Sequence, residues 1–172
     1  MTTATQISTR FAVRAIDADV VRQLLQTDDA GNPPRLLIDE EGGSPLRCCL
    51  RLTRPGERIA LVSYAPLRRW ARETGAEPGP YDEVGPVFVH AEPCPGPAGT
   101  GYPQELAGGR RMLRAYSAAG TILGGRMLEA GTDHDAAAAG AVLAEMFADP
   151  RIAVVHARAV EFGCFTFEVR RA

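Results

Sequence analysis

The imidazoles and thiols of this chain, which can move protons near neutrality, attack carbonyls or hold a soft metal, are few: three histidines and the cysteines Cys48, Cys49, Cys94 and Cys164. Thiolate and imidazole are the donors tetrahedral zinc prefers, and His90, Cys94, His156, Cys164 and one of the paired cysteines could supply such a set. The spacing argues the other way. No Cys-x-x-Cys, no His-Glu-x-x-His and no second close ligand pair is present, so ordinary buried thiols and histidines are expected, with no metal and no cofactor. Cys48 and Cys49 lie in a β-prone run, 46–52. Successive side chains of a strand face opposite ways, so at most one of the two should join any one site. On that reading Arg47, Cys49 and Arg51 share one face and Cys48, Leu50 and Leu52 the other. Two guanidiniums on a polar face can grip a carboxylate or phosphate bidentately; a solvated sheet face is the plainer alternative.

Near the C-terminus, Ile152, Val154, His156 and Arg158 share one parity, and Cys164, Thr166 and Glu168 share one parity on the next run. Pairing of the two runs could gather a His, Cys, Thr and Glu cluster, although a hydrogen-bonded sheet histidine and a small core thiol explain the pattern more simply. His90-Ala91-Glu92-Pro93-Cys94 contains the His-x-Glu and Pro-Cys fragments with which zinc nucleobase deaminases hold metal and shuttle a proton. Here Pro-Cys follows at once, and Pro97 stands where the second cysteine belongs. Asp133-His134-Asp135 falls at a predicted helix start, where acids suit the helix dipole. Gly42-Gly43-Ser44-Pro45-Leu46 fails the nucleophile-elbow pattern, and the glycines around Thr100 fail a dinucleotide loop.

The elements that must position these groups follow from periodicity. Residues 11–16 alternate as a strand, and Asp17 stands where it can cap a helix carrying the stripe Val20, Val21, Leu24 and Leu25. Gly31, Pro33 and Pro34 break it. Runs at 35–39, 46–52 and 57–64 are β-prone, the last two joined as a hairpin through Thr53-Arg54-Pro55-Gly56. A short helix is expected around Trp70 and a strand over 84–91. Residues 92–103, with four prolines and three glycines, read as a surface loop that could cover a pocket. Residues 110–117 and 121–129 should pair, with a bulge at Gly124 and Gly125. Thr132 with Asp135 resembles a capping box before a helix with the stripe Ala139, Val142, Leu143, Met146 and Phe147, and 152–159 and 162–170 form a last hairpin. Short connections favour antiparallel pairing. The expected fold is therefore α+β, a mostly antiparallel or small barrel-like sheet of about nine strands with two main helices, in one domain over 1–172.

Composition narrows the classes. Hydrophobic content of 45% and charged content of 23% are ordinary for a globular chain. No apolar run approaches the roughly 20 residues a membrane helix needs, and residues 1–6 lack the features of a leader, so a cytoplasmic protein without membrane contact is expected. A formal charge of −2 argues against nucleic-acid binding. All 19 basic residues are arginine, which excludes a lysine Schiff base and a standard Walker A loop.

Arg47-Cys48-Cys49-Leu50-Arg51, Ser63-Tyr64-Ala65-Pro66, the run from Pro80-Tyr81 to His90-Ala91, and Asp149-Pro150 through Phe162-Gly163-Cys164-Phe165 follow one another in a specific order. In these the chain resembles an uncharacterised bacterial family, domain of unknown function 1203. The resemblance implies a small stand-alone cytoplasmic protein and supplies no activity. The expected function is a small-molecule enzyme or ligand-binding protein for a small anionic or polar metabolite. His90 would be its acid or base, Tyr64 a donor, Cys164 a nucleophile beside His156, and Arg47, Arg51 and Arg158 the anion contacts. A noncatalytic interaction or assembly module is the alternative, a zinc-dependent hydrolase or deaminase-like enzyme a more remote one, and a homo-oligomer is left open.

Overall fold

The computed structural model describes residues 10–130 and 135–172. In chain order its elements are β1 (Phe11–Arg14), α1 (Ala18–Leu24), β2 (Arg35–Asp39), β3 (Glu57–Tyr64), α2 (Pro66–Thr74), β4 (Gly85–His90), β5 (Arg111–Ser117), β6 (Ile122–Leu128), α3 (Ala136–Phe147), β7 (Ile152–Ala159) and β8 (Phe165–Arg171). The fold is α+β, with two antiparallel sheets. One has the order β1-β8-β7-β5-β6, the other β2-β3-β4, and neither closes into a barrel.

The described residues thus form eight strands and three helices rather than about nine and two. The missing strand is 46–52. It makes only isolated bridges, Pro45 with Leu52 and Leu46 with Phe88, and coils back so that Leu50 N donates to Leu46 O at 3.0 Å. Leu50 takes φ 58°, a left-handed conformation a strand cannot contain. The expected hairpin with 57–64 is replaced by pairing of β3 to β2 and β4. The helix around Trp70 is a full nine-residue α2, opened by Pro66 at its first turn and closed by Gly75 at φ 78°.

Three packing groups hold the layers together. On the five-stranded sheet, Val142, Leu143 and Phe147 of α3 bury against Leu113, Leu128 and Phe167. Asp135 caps α3 by accepting from Ala138 N at 2.7 Å; the expected roles of Thr132, Asp133 and His134 lie outside the described residues. Asp17 sits at the start of α1 without capping it through its side chain; the carboxylate faces Arg14 at 3.4 Å instead. Helix α1 packs Val21 and Leu24 with Ile59, Val62, Val87 and Val89 of the smaller sheet, and Leu46, Cys48 and Cys49 belong to this same cluster. Leu67 and Trp70 of α2 meet Tyr116 and Val154. The β5–β6 register shifts opposite Gly124, where the bulge was expected.

Candidate metal centre

The turn through 46–50 is held by tertiary contacts rather than by strand pairing. Arg47 N donates to Phe88 O at 2.9 Å and Arg47 O accepts from Ile16 N at 2.8 Å. The Arg47 side chain is 2% exposed. It donates through Nε to Phe165 O at 2.8 Å, through Nη1 to Pro45 O, and through Nη2 to Cys164 Sγ at 3.2 Å. Left-handed Leu50 costs on the order of 1 kcal/mol, which burial of its side chain, about 2 kcal/mol, offsets.

Because the chain turns here, Cys48 and Cys49 do not face opposite ways. Both lie beside His90 at the end of β4: Cys48 Sγ is 3.3 Å and Cys49 Sγ 3.8 Å from His90 Nδ1, and His90 N donates to Cys48 Sγ at 3.3 Å. Cys94, on the loop that follows, joins them, so that the four donor atoms lie within 4.8 Å of one another. Zinc bonded at ~2.3 Å to sulfur and ~2.0 Å to nitrogen places its donors ~3.5–3.8 Å apart. The group is already near the scale of a single ion. The Cys48 thiol and the Cys49 sulfur share a hydrogen bond that pulls Cys49 down to about 6 and pushes Cys48 up, burial adding to the latter. One thiolate is therefore available near neutrality.

Behind the imidazole stands an ion pair. Arg51 grips Glu57 with Nη1 to Oε2 at 2.8 Å and Nη2 to Oε1 at 2.6 Å, and Arg54 N donates to Oε2 at 2.6 Å. These bonds, the arginine first, hold Glu57 down at about 2. His90 Nε2 lies 3.1 Å from Arg51 Nη2 and 3.5 Å from Glu57 Oε1. Two cavities flank the group. One of about 770 Å³ is lined by Cys49, Arg51, His90, Cys94 and Tyr102; another of about 360 Å³ is lined by Cys48, Cys94 and the apolar Val13, Ile16 and Val21. The Pro/Gly loop supplies a wall to both, as a covering loop should.

The remaining candidates fall elsewhere. His156 is fully buried, with Nε2 3.0 Å from Glu168 Oε2 and its ring between Tyr116 and Phe165. A register shift after Ala157 turns Phe165 toward it, and Cys164 meets Arg47 instead. Tyr64 packs on Phe165; burial, with the Glu168 charge nearby, raises its phenol above the ordinary value. Arg158 is taken by Gly163 O and Glu83. Thus His90 and Arg51 come together, Tyr64 and His156 gather with Glu168 around Phe165, and Cys164 and Arg158 stand apart from both groups. Glu92, the proton carrier of a deaminase motif, pairs with Arg58 at the surface. Sequence reasoning missed Cys48 and Glu57 here; the adjacent cysteines were the available signal.

Burial pushes Glu168 up, but the bonds from His156 and the charge of Arg170 outweigh it, leaving its pKa below the ordinary value. With Glu57 also lowered, the folded chain binds fewer protons than the unfolded one below about pH 4.5, where free glutamate titrates. The stabilisation is present above that pH and is lost as the pH falls toward 2. Denaturant midpoints should drop steadily from pH 4.5 to 3, the slope becoming shallower in Glu57→Gln. An unchanged midpoint down to pH 3 contradicts this.

Among the described residues no helix is long and apolar enough to cross a membrane. No curated protein and no solved structure matches the chain. A family match does run over residues 43–171, taking in the cysteine turn, β4 and the whole C-terminal hairpin: the chain belongs to DUF1203, a family of proteins of unknown function.

Proposed function

We propose that this protein binds one zinc ion through Cys48, Cys49, His90 and Cys94 and uses it in the handling of a small metabolite in the adjoining cavity. The observation that carries the reading is the convergence of these four donors, from two stretches of chain at 48–49 and 90–94, within 4.8 Å. Three thiolates and one imidazole suit zinc and bind hard cations such as magnesium and calcium poorly. The earlier expectation of ordinary thiols rested on local spacing, and these ligands are brought together by tertiary contacts instead.

Each donor has its own task. Cys49 and His90 face the larger cavity, and Cys48 closes the buried side. Cys94 is partly exposed on the Pro/Gly loop, so it is the ligand whose release would open a coordination position. A zinc ion there would act as a Lewis acid on a carbonyl or phosphoryl oxygen of a cavity ligand. Tyr102 and Gln104 on the cavity wall offer polar contacts to such a ligand.

Elemental analysis with native mass spectrometry tests the reading. One zinc per chain is expected, removed by a strong chelator and restored by added zinc, with His90→Ala and Cys49→Ala failing to retain it. Cys94→Ser should still bind, more weakly, and its cobalt form should show fewer thiolate charge-transfer contributions. A wild-type chain that takes up no zinc from excess would overturn the proposal.

A further inference from the structure

We infer that Glu57 is the positioning residue of this centre, the carboxylate that accepts a hydrogen bond from Nε2–H of His90 when Nδ1 is committed to metal, displacing Arg51 from that nitrogen. The inference rests on the zinc reading above. It starts from a contact with only one consistent hydrogen placement. Arg51 Nη2 lies 3.1 Å from His90 Nε2, and a guanidinium can only donate. Nε2 is therefore the acceptor, and the neutral ring carries its proton on Nδ1, pointing at Cys48 Sγ 3.3 Å away.

A metal needs the Nδ1 lone pair. The ring stays neutral, so its single proton must sit on Nε2: the Nδ1 proton leaves to solvent, Nε2 takes one up, and the proton count of His90 does not change. The Nε2–H then points at the N–H of Arg51, and two donors cannot remain head-on at that distance. The acceptor at hand is Glu57 Oε1, 3.5 Å from Nε2. It is well fixed for the purpose, since Arg51 Nη1 and Arg54 N both hold its other oxygen. Arg51 Nη1 keeps Leu52 O as a second acceptor at 2.8 Å, so the guanidinium can pivot away from the ring without leaving the loop. Carboxylates placed behind a ligating histidine fix its tautomer and strengthen it as a ligand, and their loss weakens metal binding by about 10–100-fold.

The test compares zinc affinity, by competition with a chromophoric chelator, for wild type, Glu57→Gln and Glu105→Gln. The last breaks the two-pronged Arg54–Glu105 pair of the same loop without touching His90. Glu57→Gln should weaken zinc by about 10–100-fold and Glu105→Gln should match wild type. At saturation the cobalt forms of all three should show the same thiolate charge-transfer bands, because no ligand is removed. A second measurement needs no variant: long-range proton–nitrogen spectra of wild type should show His90 protonated on Nδ1 without metal and on Nε2 with zinc. Equal affinities for the two variants would overturn the role of Glu57, and an Nε2 proton in the metal-free protein would overturn the displacement of Arg51, either result leaving the zinc site standing. Failure of wild type to bind zinc would instead overturn the zinc reading itself.

Discussion

Removal of zinc is expected to lower the melting temperature by roughly 8–16 °C. The size follows from linkage. A ligand at a thousand times its dissociation constant stabilises the folded state by about 4 kcal/mol, and a chain of this length shifts by about 2–4 °C per kcal/mol. The loss should be local in origin. The turn 46–52 and the loop 92–103 contain no regular strand or helix beyond isolated bridges, so once the four donors part, the turn keeps its Arg47 bonds to β4 and β8 but loses its tie to the loop. Thr100 O, accepting from Val13 N at 2.7 Å, still ties the loop to β1, and Glu105 ties its far end to Arg54 and Leu52 N. Trypsin, which cuts after arginine but not before proline, should therefore attack the bond after Arg51 first in chelator-treated protein, and at a rate well above that in the zinc form. Calorimetry with and without chelator measures the shift, and His90→Ala should melt at one temperature in either condition. A wild-type melting point indifferent to chelator would mean that the four donors do not staple the turn to the loop.

How far such a staple could be read from the sequence depends on the range of the forces involved. Strand β1 and helix α1 were legible because each writes its own burial as a periodic pattern, with Val13, Val21 and Leu24 buried where the pattern puts them; the β7–β8 hairpin was legible from its β-prone composition, although most of both strands is buried on both faces. Helix α2 was read as short because Arg68, Arg69, Arg72 and Glu73 leave only Leu67, Trp70 and Ala71 to mark its inner face. The run 46–52 has a strand's composition but not its conformation. Its shape is set by Arg47, whose acceptor Phe165 O is 118 residues away, and no local rule contains that contact. The parity argument then separated Cys48 from Cys49, when both lie against one imidazole 42 and 41 residues on. Spacing rules for metal ligands miss the group of Cys48, Cys49, His90 and Cys94 for the same reason, since tertiary contacts and not local spacing bring 48–49 beside 90–94. In the hairpin, one bulge was enough to send Cys164 toward Arg47 and Phe165 toward His156.

Arg47→Met is expected to destabilise the fold by roughly 2–4 kcal/mol and to weaken zinc binding with it. Methionine fills much of the space of the arginine stem, so the change is one of hydrogen bonding more than of volume. The guanidinium donates to the Phe165 and Pro45 carbonyls and to the Cys164 sulfur, and a buried carbonyl left without its donor costs about 1–3 kcal/mol. Against this, burial opposes the charge of Arg47 and pulls its pKa down. Relief of that desolvation keeps the net loss below the sum of the orphaned groups. The coupling to metal arises because Arg47 precedes Cys48 directly. Its side chain anchors the turn to the first residue of β8, while its backbone anchors the turn to β4 and to Ile16. With the side-chain anchor gone, the two thiols must be ordered by the metal itself, which takes the ordering entropy out of the binding free energy. Denaturant midpoints and chelator competition on the same preparation measure both effects. A variant as stable as wild type would show that the backbone bonds alone fix the turn. A destabilised variant with unchanged zinc affinity would show instead that Arg47 supports the sheet but not the geometry of the thiols.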